Sequence, residues 1–407
     1  MRVCVVGSGG REHALAHVLG RDAEVVVTPG NPGIPGSVAT PPEEIDADLF
    51  VVGPEAPLVD GLADRLRSAS RRVFGPGADG PRLEGSKAWM KEVLVKAGVP
   101  TARHGAFTDE AAALAFLDVM ADLFVVKTDG LAAGKGVLVT EDRGEAADAV
   151  RSYLSGDAFG DAGRTVVIEE GLTGPELSLL AICDGRTAVP LAPAQDYKRI
   201  GDGDAGPNTG GMGAFTPAPL LNDTLAKEVM ERIIEPTIKG LTADGTPYQG
   251  VLYAGLMVTE EGPKLIEYNC RFGDPECQPL MTRLETDALE LLLATAEGRL
   301  DKVKPKWSKH AALTVVMAAK GYPGSYEKGT EIKGVEEAAA IDGITVFHAG
   351  TRRENGKLLA QGGRVLNVTA MAPSIKEAQE KAYAAVSKID WPEGFCRTDI
   401  GWRAVER

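Results

Sequence analysis

From Val3 to about residue 80, short apolar runs alternate with stretches of helical periodicity. Val3–Val6 ends at a glycine turn. Ala14, Leu15 and Val18 then recur at helical spacing within Arg11–Leu19, and the runs Val25–Val27 and Leu49–Val52 each close on Gly or Pro. Apolar runs separated by helices predict an open parallel sheet with ligands at the carboxyl ends of its strands. From Ser86 a helix is expected, with Met90, Val93, Leu94 and Ala97 on one face, Lys87 and Lys91 on another, and Gly98-Val99-Pro100 as its stop. A second αβ section opens at Thr108, read as an N-cap, and carries strands at Phe124–Lys127, Val166–Glu170 and Glu176–Cys183. Ala192–Pro219, rich in Gly, Asp and Pro, reads as one long loop. Leu225, Val229, Met230, Ile233 and Ile234 mark another amphipathic helix, and Val251–Thr259 with Lys264–Asn269 a hairpin about Glu260-Glu261-Gly262. Beyond the Lys- and Pro-rich Asp301–Lys306, strands are expected near Ala311–Ala319, Ile344–His348 and Arg364–Thr369, and a helix opened by the capping box Ser374-x-x-Glu377.

Charge narrows the functions open to such a chain. Its 407 residues include 44 Lys+Arg and 58 Asp+Glu, a net −14. A net acid repels phosphodiester backbones and anionic lipid, so neither nucleic acid nor membrane is an expected partner. Small phosphorylated ligands stay open, because a local cluster of Lys and Arg overrides the global sign. Five scattered cysteines without a CxxC suit a reducing cytosol. The longest apolar stretches fall short of the ~20 residues that span a bilayer, and the strand-like start leaves no room for a leader. A cytoplasmic protein acting on small molecules is expected. The 49 glycines point to phosphate loops and tight turns.

Four segments carry candidate chemistry. Gly7-Ser8-Gly9-Gly10-Arg11-Glu12 joins a strand to a helix, where backbone amides and the helix end attract an anion and Arg11 supplies charge. Glu12 stands at the third glycine position of the dinucleotide fingerprint, which argues against a nicotinamide enzyme. Asp129-Gly130-Leu131-Ala132-Ala133-Gly134-Lys135-Gly136 follows a strand and has the wrong spacing for a P-loop, yet its glycines suit a cover over phosphates that Lys127 also reaches. Ile168 to Glu176 crowds Glu169, Glu170 and Glu176 at a strand end, where carboxylates can accept ribose hydroxyls. In Lys264–Asn269, residues 265, 267 and 269 share a strand face, so Glu267 and Asn269 present two hard oxygens suited to Mg²⁺. Arg271 follows at once, placed to stabilise a transferring phosphoryl group.

Together these residues resemble the ATP-grasp superfamily, and within it the glycinamide ribonucleotide synthetases. The resemblance rests on GSGGREHALA from Gly7, VGPEAPLV from Val52, LEGSKAWMK from Leu83, KTDGLAAGKGV from Lys127, GPNTGGMGAFTPAP from Gly206, EYNCRFGDPE from Glu267 and CRTDIGWRA from Cys396. It covers the whole chain, and its 206–219 and 267–276 segments are specific to this ligase. The resemblance implies an α/β fold: an amino-terminal open parallel sheet domain (1–85), a two-subdomain ATP-grasp core (86–300, lid about 105–175) and a small α+β carboxyl-terminal domain (301–407). It implies ligation of glycine to 5-phosphoribosylamine with ATP, through glycyl phosphate, and Mg²⁺ or Mn²⁺ as cofactor.

Residue by residue, the resemblance puts Lys91, Lys127, Asp129, Gly130, Gly134, Lys135 and Gly136 at the nucleotide phosphates. Glu169, Glu170 and Leu172 would flank adenine, Glu176 the ribose, and Glu267 and Asn269 the metal. Arg271 and Asp274 would serve the acyl phosphate. Gly9, Gly10, Arg11, Glu12, Asp196, Lys198, Asn208, Gly210, Gly211 and Gly213 would hold glycine and the ribosylamine. Tyr197 stands where the family pattern has His, and Leu177 replaces a small residue. The position of a third metal carboxylate falls near Gly255, so two protein ligands are expected. A monomer is favoured. The competing expectation is a sibling ATP-grasp enzyme of purine synthesis that uses formate or bicarbonate, and it should lack the 206–219 and 267–276 segments.

Overall fold

Strands Glu24–Pro29, Arg2–Gly7, Leu49–Val52 and Val73–Phe74 lie side by side in that order, all parallel. Val3–Val6 and Leu49–Val52 are buried throughout, which is why they read as unbroken apolar runs rather than alternating ones. The computed structural model describes residues 1–121, 123–130, 136–156 and 164–405. The chain divides into two units: the first comprises Met1–Gly75, Leu191–Leu220 and Arg271–Arg407, the second Pro76–Pro190 and Leu221–Cys270. Among the described residues, no helix is long and apolar enough to cross a membrane.

In the first unit a second, antiparallel sheet takes the order Gln195–Asp196, Gly213–Thr216, Ala311–Ala319, Arg364–Ala372, Ile344–His348. Two of these strands come from the segment read as one long loop. Gly213–Thr216 pairs with Ala312–Val315, and its side chains are buried. Glycine- and proline-rich sequence hides a strand when pairing comes from residues a hundred positions away. Tyr197 packs in the same core as Phe215, Leu313 and Val315. The helix Ile375–Val386 opens at Ser374, whose side chain accepts from the Glu377 N–H.

The second unit holds two four-stranded sheets. One runs His104–Phe107, Val166–Glu170, Phe124–Thr128, Val137–Thr140, all antiparallel. Phe124, Val126, Val166 and Ile168 bury one face against Ala113 and Leu117 of helix Glu110–Leu117 and Ala146, Ala147 and Val150 of helix Arg143–Leu154. Asp109 caps the first of these helices, one residue past the expected Thr108. The other sheet orders Ala188–Pro190, Glu176–Asp184, Gln249–Thr259, Gly262–Asn269. Leu177 is buried opposite Leu256 there, a packing position.

Candidate functional site

In the second unit, period-2 alternation puts Lys127 and Glu169 on the face of the first sheet that the two helices leave uncovered, since Val125 pairs with Glu169 and Lys127 with Val167. The helix Lys87–Ala97, capped by Ser86 and stopped at Gly98 with φ +67°, brings Lys91 to the same carboxylate. Lys91 Nζ stands 3.1 Å from Glu169 Oε2, and Lys127 Nζ 3.0 Å from Oε1 without an aligned hydrogen bond on that oxygen. All three side chains are buried. Burial pushes the Lys91 ammonium down, Glu169 pulls it back up, and it settles at about 8. Burial pushes the Glu169 carboxyl up, but Lys127 and Lys91 outweigh it and hold it below the usual range. A buried carboxylate shared by two lysines keeps both charges near one point at a desolvation cost that a lone lysine could not sustain.

Lys91 also donates to Thr101 Oγ1 at 2.7 Å, and Thr101 donates to the Leu265 carbonyl at 2.7 Å. This chain of bonds ties the lysine to the strand of Glu267 and Asn269. That strand contains a bulge: Gly255 pairs with Glu267 but Leu256 with Leu265. Pro263, Leu265 and Tyr268 are its buried positions, so the inward phase shifts by one at Ile266. Glu267 and Asn269 therefore share a face as expected, while Leu265 does not join them. A bulge commonly re-aims a side chain in this way. A Cβ at Gly255 would lie 3.3 Å from Glu267 Cγ, so the register leaves the pair without a third carboxylate across the strand. Among the described residues, no group of three or more His, Cys, Asp or Glu is arranged to hold a metal ion. Two hard oxygens with no soft donor suit Mg²⁺, which takes its other ligands from phosphates and water.

Asp129 acts on the lysine helix directly. It accepts from Ala88 N–H (3.1 Å) and Ser86 Oγ (3.1 Å), a second carboxylate cap for that helix end, and Lys87 Nζ donates to the Gly130 carbonyl at 3.0 Å. Burial lowers Lys87 more than Glu267 raises it. Lys87 is a member of this cluster that sequence reasoning placed on the right helix face and then passed over. Gly134 and Lys135 lie outside the described residues; Gly136 accepts from Thr128 N–H. Glu170 closes the sheet edge by accepting from Arg103 N–H at 2.9 Å. Leu172 is half-buried just beyond it, and Glu176 is exposed at the start of its strand. A cavity of about 420 Å³ lies beside Lys91, lined also by Glu92, His104, Gly105, Ala106 and Val167.

The first unit holds the remaining residues. Glu12 folds back over its own helix end: its Oε2 accepts from Gly9 N–H at 2.7 Å and its Oε1 from Arg11 Nε at 2.5 Å. Gly7, at φ +132°, and Gly53 make the room, since a Cβ at either would come within 2.4 Å of the Glu12 side chain. The helix end thus carries an anion supplied by the chain itself. Arg11 Nη1 donates to the Phe272 carbonyl at 3.1 Å, joining the glycine loop to the segment of Arg271 and Asp274. Arg271 pairs with Glu55 at 3.2 Å. Burial raises the Asp274 carboxyl, but Arg364, Arg11 and the Gln278 amide hold it below its usual range.

Arg364 went unnoticed in the sequence because it lies far from every motif. Its Nη1 donates to the carbonyls of Gly210 (2.8 Å), Gly211 (3.3 Å) and Asp274 (2.6 Å). Gly211, at φ +111°, has no room for a side chain against Pro275. Residues 206–213 and 271–276 are thereby clamped together. Asp196 accepts from Lys198 at 2.9 Å, and Thr209 donates twice to the Lys198 carbonyl. Gly213 sits in its strand, and Asn208 is exposed on the small hairpin that pairs it with Arg199. Asn367 is fully buried, with neither amide atom partnered among the described residues, and its Oδ1 abuts Gly10. Tyr197, between Asp196 and Lys198, points the other way. Its ring lies between the guanidiniums of Arg397 and Arg403, each 4.8 Å from the centroid, and its hydroxyl accepts from Gly401 N–H at 3.0 Å. The departure at 197 therefore falls in the packing of the 396–404 segment.

Sequence profiles of phosphoribosylglycinamide synthetase match along the chain: the N domain over residues 1–84, the ATP-grasp (A) domain over 85–277 and the C domain over 312–403. A phosphoribosylamine–glycine ligase of Mesorhizobium japonicum is 52% identical, with 100% of this chain and 99% of that protein covered. The crystal structure of a phosphoribosylamine–glycine ligase from Thermotoga maritima superposes with a TM-score of 0.89 at 34% identity, over 98% of this chain and 100% of that one. A biotin carboxylase domain from Hydrogenobacter thermophilus shares the fold, with a TM-score of 0.73 at 16% identity over 97% of this chain and 91% of that one. With every segment from the glycine loop to the carboxyl-terminal strands accounted for, the chain belongs to the phosphoribosylglycinamide synthetase family.

Proposed function

We propose that this chain joins glycine to 5-phosphoribosylamine at the expense of ATP, giving glycinamide ribonucleotide, ADP and phosphate. The observation that carries the reading is the second unit's charge arrangement: two buried lysines on one carboxylate, linked by Thr101 to the strand of Glu267 and Asn269. Lys91 and Lys127 hold the nucleotide phosphates, with Asp129, Gly130 and Gly136 at the cover's two ends. Leu172 and the strand end at Glu169–Glu170 flank adenine, and Glu176 takes the ribose. Val137 and Val139 keep apolar side chains exposed in register with Lys127 and Val125, a surface suited to a flat base.

A carboxylate is a poor acyl donor because oxide is a poor leaving group. The glycine carboxylate oxygen attacks the γ-phosphorus and ADP leaves; the ribosylamine nitrogen then attacks the acyl carbon, phosphate leaves, and the nitrogen gives up a proton. No side chain forms a covalent bond, so the protein supplies position and charge neutralisation. Arg271 and Asp274 serve the acyl phosphate, and Gly9–Glu12 with Asp196, Lys198, Asn208, Gly210, Gly211 and Gly213 hold glycine and the ribosylamine. Glu267 and Asn269 would hold Mg²⁺ or Mn²⁺, which supplies charge neutralisation between the phosphates when bound. Burial leaves the Cys4, Cys183 and Cys277 thiols raised, unsuited to nucleophilic work.

The test is ADP release with glycine, formate or bicarbonate as the acid, with the ribosylamine formed in the assay from ribose 5-phosphate and ammonia. Turnover with glycine alone is expected. Turnover with formate or bicarbonate and none with glycine would move the chain to a sibling activity.

A further inference from the structure

The turn after strand Glu24–Pro29 carries a buried asparagine whose carboxamide is bonded to capacity. Asn31 Nδ2 donates to the Ser8 carbonyl at 2.8 Å and to the His348 carbonyl at 3.2 Å. Its Oδ1 accepts from Gly33 N–H at 2.8 Å and from Thr351 Oγ1 at 3.0 Å. Two donated and two accepted bonds are all that an amide side chain can make. The four partners come from three places in the chain: the glycine loop, the 31–34 turn, and the segment 348–351 at the end of the antiparallel sheet.

The surroundings fix the amide's orientation. Thr351 spends its one proton on Asn31 Oδ1, so it accepts from His348 Nδ1, 2.9 Å away, and His348 is the Nδ1–H tautomer. The His348 backbone N–H donates to His13 Nδ1 at 2.8 Å, which leaves His13 protonated on Nε2. A Cβ at Gly33 would lie 2.1 Å from His348 Nδ1, so only glycine lets the turn close on this ring. Asn31, His348 and Thr351 are all buried. A flipped amide would face two carbonyls with its oxygen and two donors with its NH₂, so a single arrangement is favoured.

We propose that Asn31 is a positioning residue for the ribosylamine: by holding the Ser8 carbonyl it sets the path of Gly9 and Gly10 and the direction of Arg11. This rests on the reading that the glycine loop receives that substrate. Asn31 touches none of the reacting atoms. It acts through the loop, and its removal affects ground-state binding of one substrate.

The experiment measures KM for ATP, glycine and the ribosylamine, with kcat and Tm, for Asn31→Asp, Thr351→Val and Arg11→Ala in the full chain. In Asn31→Asp a carboxylate faces two carbonyls. Its ribosylamine KM is expected to rise about tenfold or more while the ATP and glycine KM values stay within about twofold. Thr351→Val keeps the shape and loses one of the four bonds, and should raise the same KM by about two- to fivefold. An unchanged ribosylamine KM in folded Asn31→Asp overturns the proposal, as does a parallel drift of all three KM values with a fallen Tm. Should Asn31→Asp not fold, Thr351→Val decides by the same criterion. Arg11→Ala separates the two levels: if it raises the ribosylamine KM and the Asn31 series does not, only the positioning role fails. If Arg11→Ala also leaves that KM unchanged, the loop does not receive the ribosylamine and both fall.

Discussion

The two units place charge by different means. In the second, the candidate groups stand on regular structure: Lys91 on a helix, Lys127 and Glu169 on adjacent strands, Glu267 and Asn269 beyond a bulge. Their spacing follows from periods of 3.6 and 2, and the charges of Lys91, Lys127 and Glu169 meet in a buried cluster. In the first unit, Arg11, Arg271, Asp274 and the 206–213 segment lie on loops and element ends held by main-chain carbonyls and by arginines paired with carboxylates (Arg11 with Glu12, Arg271 with Glu55, Arg364 with Asp274). Regular elements suit phosphates and a metal, whose requirements are few and rigid. Loops clamped from several directions suit substrates that must be told apart by shape and hydrogen bonding.

The contrast breaks most sharply at Glu267. Its replacement by Ala should reduce kcat by about 10²–10³-fold, the scale for losing one preorganised electrostatic group, with Tm and ribosylamine affinity little changed. Near-normal turnover with an unaltered Mg²⁺ titration would remove the metal assignment. Lys91 comes next. A charge-assisted bond contributes ~1.5–3 kcal/mol, so Lys91→Met should weaken ATP binding about 10–100-fold and leave glycine and ribosylamine binding intact. In the unaltered protein the Lys91 ammonium gives up its proton as pH rises through about 8. The kcat/KM for ATP, which reports free-enzyme groups, should therefore decline above that pH, and a flat profile to pH 9.5 would count against the lysine.

Acid sharpens the comparison from the other side. His13 and His348, both in the first unit, are pushed down by burial to about 3 and about 4. They stay neutral when folded but take up protons near 6.5 when unfolded. The unfolded state therefore binds more protons below pH 6.5, so stability falls as pH drops from 6.5 toward 4, by up to about 1.4 kcal/mol per pH unit for each histidine. Protection from hydrogen exchange, relative to the intrinsic rate at each pH, should fall at pH 5 more in the 344–351 peptides than in the 124–128 and 166–170 peptides; a uniform loss of protection would show that the histidines do not govern it. The smallest effect is expected at Cys270, whose thiol and backbone N–H both donate to Glu84 Oε2. Cys270→Ser keeps a donor in place, so kcat should stay within about threefold, whereas loss of a covalent nucleophile costs several orders of magnitude.

Local pattern carried much of the architecture. The parallel sheet at the amino terminus was legible because its strands are buried on both faces. The helix of Lys91 was legible from its periodicity and its Ser and Gly ends, and the hairpin of Glu267 from its turn. The shared face of Glu267 and Asn269 was legible at the same level, because both lie within one strand. The family resemblance added the reaction and the substrates, which no periodicity could supply.

Tertiary structure alone decided what depends on partners distant in sequence. The strand Gly213–Thr216 exists because Ala312–Val315 pairs with it, and Gln195–Asp196 pairs in turn with Gly213–Thr216; their own glycine- and proline-rich surroundings disclose neither. The bulge at Ile266 is a mismatch between two strands, so neither strand shows it. Glu169 became the counterion of two lysines because three elements converge on it, and Tyr197 turned away from its charged neighbours to sit between two arginines from the chain's far end. Arg364, Asn31 and Asn367 lie in no motif. A hydrogen bond has no sequence period, and the groups that clamp a loop are chosen by where the fold puts them.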